Sequence, residues 1–491
     1  MKGYAHTRRL GWLFAGRPFA LTAALLVSSW LLKPILLSPI GISQVVASAT
    51  TAQPQAASPA RQEQKQKQIQ QIRPENFDLQ RFPVTDRTEK HWRNLLWTTA
   101  VVSPDNQFVA AALEQILALM LNPRLSQAQM RTVDMAVRVA TQLYLQNPQV
   151  YAEVGQQFRQ AVERSPDPEW VAMSLSGLSL GGLSANELEA LTQNVKARFP
   201  NWSRNPVLYS TLTELSQSAR PNVQPPLADL LNWTIAPGQL QLYVLCRPNR
   251  YVLCQTVLKD PRGQFVRQGS SLWTVPLLLR SIHNLSWNFI RGQTPQGVYR
   301  IEGTVPQPDN LFFRAYGQFD LVNLYVPFEA GARSFLPGKA GPFQGNLQAY
   351  LALLPPSWRE YWPLQQSFWA GRIGRSQFRI HGSGDAPDFF SGKERYLDSY
   401  NWNPTIGCLS ALELYDDAGQ LQEADMPKIL QVLQQVGGQN FSGYLIVLEI
   451  PGNNSTPVSL GEIETAIHAG GLDQPSPSSV APEARPLPLA Y

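Results

Sequence analysis

Charge is scarce in this chain of 491 residues: Asp, Glu, Lys and Arg make up 16% of it, and 41 basic against 36 acidic residues leave a net +5. Without a dense basic run there is no surface to neutralise a nucleic-acid backbone, so nucleic acid is excluded as the expected partner. Long apolar runs are missing as well. Phe19 to Leu32 gives only 14 mostly apolar residues, short for a bilayer span and suited to the centre of a secretion signal. Five histidines and three cysteines are all the chain holds, so any chemistry built on them has few residues to draw on. Neither a metal nor a cofactor is expected.

The length implies two or three domains plus linkers. Forty prolines with 13 Trp, 16 Tyr and 20 Phe point to a loop-rich β domain in a chain that is not wholly helical. Lys2, Arg8, Arg9 and Arg17 precede the short apolar run, and Ala47 and Ala49 flank Ser48 in a small-residue cleavage pattern. Apolar character resumes in "ILLSPIGI", which leaves an uncleaved, kinked anchor open. Residues 1–49 therefore read as a signal peptide or an N-terminal membrane anchor. Either way the bulk is exported, to the periplasm or cell wall, and is held at the inner membrane if the segment stays uncleaved.

Residues 50–82 have almost no large apolar side chains and read as a flexible Gln/Ala/Pro-rich linker, with a short helix over the Gln-rich part as the alternative. From 83 to 220 the period is helical: Val109, Leu113, Ile116, Leu117 and Met120 share a face, as do Val133, Ala136, Val137, Ala140 and Leu143, and Val150, Val154, Phe158 and Ala161. Ser103-Pro104, Asp167-Pro168 and Asn205-Pro206 read as capped helix starts, and Ser184 with Glu187 as a capping box. No strict repeat recurs, so a bundle and a short solenoid both fit. This region is a recruitment surface for a protein partner or a plain spacer.

After a proline-rich joint the period changes. "LQLYVLCRPNRYVLC" reads as a β-hairpin, and "GVYRIEGTV", "FDLVNLYVPF", "SQFRIHG" and "YLIVLEI" as strands. The expected fold is thus α+β and multidomain: an all-α N-terminal part, then a β-rich domain over 235–452, then a disordered Pro/Ser-rich tail over 453–491.

Cys246 and Cys254, eight positions apart on a hairpin, form a disulfide or remain two buried thiols. Cys408 is left over, either an inert buried thiol or a reactive one. Gly407 before it permits a tight turn that exposes the sulfur and turns N–H groups inward. A thiol nucleophile needs a base. His6 lies in the leader, His91 among the helices and His468 in the tail, which leaves His283 and His381; His381 ends a strand and is followed at once by Gly382.

A strand ending His-Gly, then a loop, then Ser/Thr-x-Gly-Cys-apolar resembles the catalytic domain of the L,D-transpeptidase (YkuD-like) family, here "IHGSG" at 380–384 and "TIGCLS" at 405–410. "GQTPQGVYRIEG" at 292–303 is similar to that family's T-P-x-G-x-[FY]-x-I segment, and "YLIVLEI" falls where it has a closing strand. The resemblance covers about 235–452. It implies a β-sandwich-like fold and peptidoglycan stem peptides as substrate, without a cofactor. By carry-over Cys408 is the nucleophile and His381 the base, with Ser383 or the Gly382 carbonyl orienting the imidazole and backbone N–H groups at Gly407 and Cys408 holding the oxyanion. Where most members read Ser-His-Gly-Cys this chain has Thr405-Ile406-Gly407-Cys408, and Ser410 replaces the usual Arg or Asn. The 27-residue step from His381 to Cys408 is long for the family, and the added stretch 385–403 is a substrate lid or an inert insertion. Tyr299 and Arg300 line the cleft or serve the strand. Transfer to an amine, hydrolysis by water, and a catalytically dead wall-associated scaffold are the functional alternatives.

Overall fold

The computed structural model describes residues 58–218, 223–307, 317–382, 399, 401–416, 418 and 420–469. The expected leader or anchor (1–49), Ser383, the body of the 385–403 insertion and the residues past 469 lie outside them. The described residues belong to one compact unit, Ala52–Tyr491, so the helical and β-rich parts pack together as a single body.

Eight α-helices come first: α1 Ser58–Ile69, α2 Glu89–Val102, α3 Gln107–Ala118, α4 Gln127–Gln146, α5 Ala152–Arg164, α6 Pro168–Leu180, α7 Ala185–Arg198 and α8 Pro206–Ser218. The apolar stripes read from the sequence meet in one core, and α4 touches α2, α3, α5 and α6. A solenoid repeat meets only its neighbours, so this is a bundle with α4 at its centre. Asp167 caps α6, Asn205 accepts from Val207 and Leu208 at the start of α8, and Ser184 and Glu187 form the expected box. The Ser103-Pro104 start is corrected: Ser103 is the left-handed end of α2 (φ 52), and α3 begins at Gln107. Over 58–82 the flexible-linker reading gives way to its alternative, a helix over the Gln-rich part. There α1 forms, and Phe77 is buried against Trp92, giving the segment the apolar anchor that composition hid. Among the described residues no helix is long and apolar enough to cross a membrane.

A short α9 (Leu227–Asn232) leads into the strands β1 Leu240–Cys246, β2 Cys254–Lys259, β3 Arg267–Gln268, β4 Ser271–Leu272, β5 Pro276–Leu278, β6 Gly297–Val305, β7 Leu321–Tyr325, β8 Phe378–Gly382, β9 Leu409–Ala411, β10 Glu413–Tyr415, β11 Leu421–Ala424 and β12 Ser442–Glu449. Eight of them close in the order β1-β12-β6-β7-β8-β9-β5-β2. The sandwich-like expectation is therefore corrected to one sheet closed into a barrel, with Leu242, Val244, Tyr299, Ile301, Ile380, Leu409, Leu445 and Val447 in its core together with residues of α12 (Met426–Gly437). The parallel pair β1 and β12 is buried on its other face too, against α9, α10 (Leu347–Leu351), α11 (Gln366–Ile373) and α13 (Leu460–Ala469). Burial on both faces is why "LQLYVLC" and "YLIVLEI" are continuous apolar runs without alternation.

Cys246 and Cys254 are joined by a disulfide at the base of the β1–β2 hairpin, whose loop takes up most of the second "YVLC". The disordered-tail reading is corrected over α13: Val458, Ile463 and Ile467 are buried in the outer core, and Glu462 and Glu464 pair with Arg247 and Arg267.

The two parts meet at the segment between β5 and β6. Its Leu285 and Phe289 lie inside the helical core, and Asn288 donates to Ser210 (3.1 Å) and Thr211 (2.7 Å) of α8.

Candidate active site

The strands β8 and β9 pair in parallel, with Ile380 opposite Leu409, His381 opposite Ser410 and Gly382 opposite Ala411. Parallel neighbours need a crossover of a dozen or more residues. The long step from His381 to Cys408 is that crossover. Phe378, Ile380, Leu409 and Ala411 fill the barrel core, and alternation puts Arg379, His381 and Ser410 on the opposite face. Continuing the register by one residue sets Cys408 alongside Arg379, two places along the pair from the partner of His381. At a strand spacing of about 4.8 Å and a rise of about 3.3 Å per residue, their Cα atoms lie roughly 8 Å apart.

Both side chains are enclosed, Cys408 being 8% and His381 4% exposed. The imidazole Nδ1 is 2.7 Å from the Gly382 carbonyl. A carbonyl only accepts, so Nδ1 carries the hydrogen and Nε2 is the proton acceptor of the neutral ring. Of the two orienting groups expected, this is the Gly382 carbonyl; Ser383 lies outside the described residues. Gly382 itself is enforced by crowding, since a Cβ there would fall 1.6 Å from the buried Glu413 carboxylate. The thiol donates to the Gln377 carbonyl at 3.6 Å, not to His381. Gln377 has φ 63, an uncommon conformation for a residue with a side chain.

The loop before Cys408 is pinned from three sides. Thr405 Oγ1 donates to the Cys408 carbonyl (2.7 Å) and accepts the Gly407 N–H (3.1 Å), and Thr294 Oγ1 donates to the Gly407 carbonyl (3.0 Å). The Thr405 backbone bonds with Arg280 and Ile282. The Gly407 N–H is thus occupied, which corrects its expected role as an oxyanion donor: the Thr405 hydroxyl turns it into the loop. Gly407 has φ 123, and a Cβ on it would meet Arg375 Nη2 at 2.4 Å. Ile406 stands 39% exposed beside the enclosed thiol.

Burial pushes the Cys408 thiol up; the Arg379 backbone N–H and the Arg379 and Arg375 charges draw it down, and Glu329 works against them. Burial takes His381 down to about 4, opposed by the Gly382 carbonyl. At neutral pH the pair therefore rests as thiol and neutral imidazole. Glu329, pushed up to about 7 by burial, accepts the N–H groups of Gln377 (2.8 Å) and Val326 (3.2 Å).

Other expected residues have structural work. Tyr299 is buried in the barrel and donates to the Pro295 carbonyl at 2.6 Å. Arg300 reaches the Gly443 carbonyl (3.1 Å) and lies over Tyr444. His283 is buried with Nδ1 at 3.0 Å from Gln142 of α4, a tie to the helices. Trp402, the described aromatic of the insertion, packs with Leu253, Leu278 and Leu412. Sequence reasoning missed Arg375, Glu329, Gln377 and Glu413, and had Thr405 only as a motif letter. Thr294 stood in the "TPQG" segment as a motif letter without a task. Compared with protein-family models, curated proteins and solved structures, the chain matches none of them.

Proposed function

We propose that the protein is an exported, cysteine-dependent acyl transferase acting on peptidoglycan stem peptides, similar in its chemistry to L,D-transpeptidases. One observation carries the reading: an enclosed thiol one residue before β9 lies beside β8, which ends on a histidine whose Nδ1 is tied to a carbonyl, so that Nε2 is the proton acceptor of the ring. Supporting it are the order of the "TPQG", "HG" and "TIGC" segments and the Thr294–Gly407 bond that joins the first to the last.

In this reading a stem peptide enters beside Ile406, the Cys408 side chain rotates off Gln377, and His381 Nε2 takes its proton. The sulfur attacks the carbonyl between the L-centre of diaminopimelate and the terminal D-alanine. The C–N bond breaks, the imidazolium returns its proton to the leaving amine, and a thioester on Cys408 remains. An incoming amine attacks the thioester, gives its proton to His381, and releases the acyl group as an amide; the thiolate recovers the proton. The N-terminal segment delivers the enzyme to the wall, either as a cleaved signal or as an anchor.

Muropeptide analysis of cells carrying wild-type or Cys408→Ala protein tests this. Loss of 3–3 cross-links supports transfer. Accumulation of uncut tetrapeptides supports a hydrolase on the same peptides, and an unchanged profile contradicts both.

A further inference from the structure

Arg375 is a cation held where cations are costly. It is 5% exposed, and its Nη1 donates to the carbonyls of Trp287 and Gln293 (2.7 Å), its Nη2 to that of Gly292 (2.9 Å). The guanidinium also lies over the Phe378 ring at 4.8 Å. Carbonyls satisfy the N–H groups and leave the charge uncancelled; among the described residues no carboxylate pairs with it. A buried charge without an opposite one is strongly disfavoured, and such groups cluster where a counter-charge forms during chemistry.

The geometry identifies that counter-charge. Nη2 packs directly on Gly407, the residue before the nucleophile, so closely that a Cβ at 407 would sit 2.4 Å from it. Of the groups acting on Arg375, the Cys408 sulfur and the Tyr299 hydroxyl both favour its charged form. Tyr299 has its hydrogen on the Pro295 carbonyl, and burial holds its ionisation well above the ordinary range. The sulfur is the group left to become an anion. Ile406, in the position before Gly407, can supply no charge.

The same arginine connects the site to the helical bundle. All three carbonyls that hold it belong to the segment between β5 and β6. The bundle grips that segment through Leu285, Phe289 and the Asn288 bonds to Ser210 and Thr211.

We propose that Arg375 is the counter-charge of the Cys408 thiolate, a guanidinium fixed beside the nucleophile loop that gains its partner when the sulfur ionises, and that the bundle holds it there through residues 285–293. Arg375 is thus a positioning residue. The proposal rests on reading Cys408 as a nucleophile. The other groups acting on the sulfur are Arg379, from β8, Glu329, which lies after β7 and binds the Gln377 backbone, and Tyr299, from β6.

Cys408 is the single free thiol, since the other two cysteines are bridged, so the pH dependence of alkylation of the full chain by a small haloacetamide reports it alone. Arg375→Gln is expected to raise the thiol pKa by at least about one unit over Arg375→Lys, a roughly tenfold slower reaction at neutral pH. Asn288→Ala, remote from the sulfur, should shift it partway in the same direction. Equal thiol pKa values in the Lys and Gln variants overturn the proposal. If neither folds, an unchanged value in Asn288→Ala does so. The readout needs no peptide substrate, so a shifted thiol in a protein that leaves muropeptides unchanged sinks the wall-enzyme reading and leaves this one standing, and the converse result does the reverse.

Discussion

The hydroxyl of Thr294 donates to the carbonyl of Gly407 at 3.0 Å, joining two segments 113 positions apart. It ties the turn leading into β6 to the loop before Cys408, so the placement of Cys408 depends on a strand across the barrel. Thr294 is 1% exposed, and removing its hydroxyl leaves a buried carbonyl without that donor. Thr294→Val should cost about 1–3 kcal/mol in urea unfolding, and Thr294→Ser much less. A larger loss in Thr294→Ser than in Thr294→Val would mean that the methyl group, not the bond, is what matters.

Gly407 combines a left-handed backbone (φ 123) with contact on Arg375. Gly407→Ala is expected to lower stability by about 1–3 kcal/mol and to slow acylation of Cys408 more than the stability loss explains, because the loop must move off the guanidinium. Thermal unfolding and acylation by a carbapenem, measured on the same sample, separate the two effects.

Glu329 has a folded-state pKa of about 7 against 4.5 unperturbed. Its folded value is the higher one, so its share of stability is complete below about 4.5 and is lost as pH rises through about 7. Glu329→Gln abolishes that dependence. The stability of the variant minus that of the wild type should therefore rise by roughly 3 kcal/mol from the acid to the neutral end of the window. Urea unfolding at several pH values checks the slope; a flat difference refutes a buried, proton-holding carboxyl.

His381 moves the other way, from 6.5 to about 4. Its folded value is the lower one, so the stability that it contributes is present above 6.5 and lost as pH falls toward 4. For activity, the imidazole stays neutral and competent as a base down to that lower value. The acid limb of carbapenem acylation is expected near pH 4, and a limb at 6.5 would mean that the ring is solvated during turnover. His381→Gln should slow acylation by about 10²–10⁴ at neutral pH.

The two candidate residues could be singled out because histidine and cysteine are rare in this chain. Five histidines and one unpaired cysteine singled out His381 and Cys408 by elimination and motif; the structure puts His381 on β8 and Cys408 one residue before β9, with the thiol on the Gln377 carbonyl. The helical stripes and most caps were legible for the same local reason, as period and capping chemistry are written within a few residues. Ser103 failed because the serine that ends one helix looks like a cap for the next. Barrel closure was hidden, since it depends on the pairing of β2 with β5 and of β5 with β9, strands of a few residues with little pattern. Arg375 and Glu329 were invisible as functional candidates, and Thr405 was a motif letter without a task. Their importance comes from what folding brings against them, and an arginine in "GRIGRSQF" has no spacing that announces a buried cation.

The most direct measurement is intact-protein mass spectrometry of the full chain mixed with a tetrapeptide-bearing muropeptide. The expected result is an adduct equal to the donor less its terminal D-alanine, mapped to Cys408 and abolished in Cys408→Ala. Folded wild-type protein that gives no adduct under turnover conditions, or an adduct that survives Cys408→Ala, would contradict a thioester enzyme at this site.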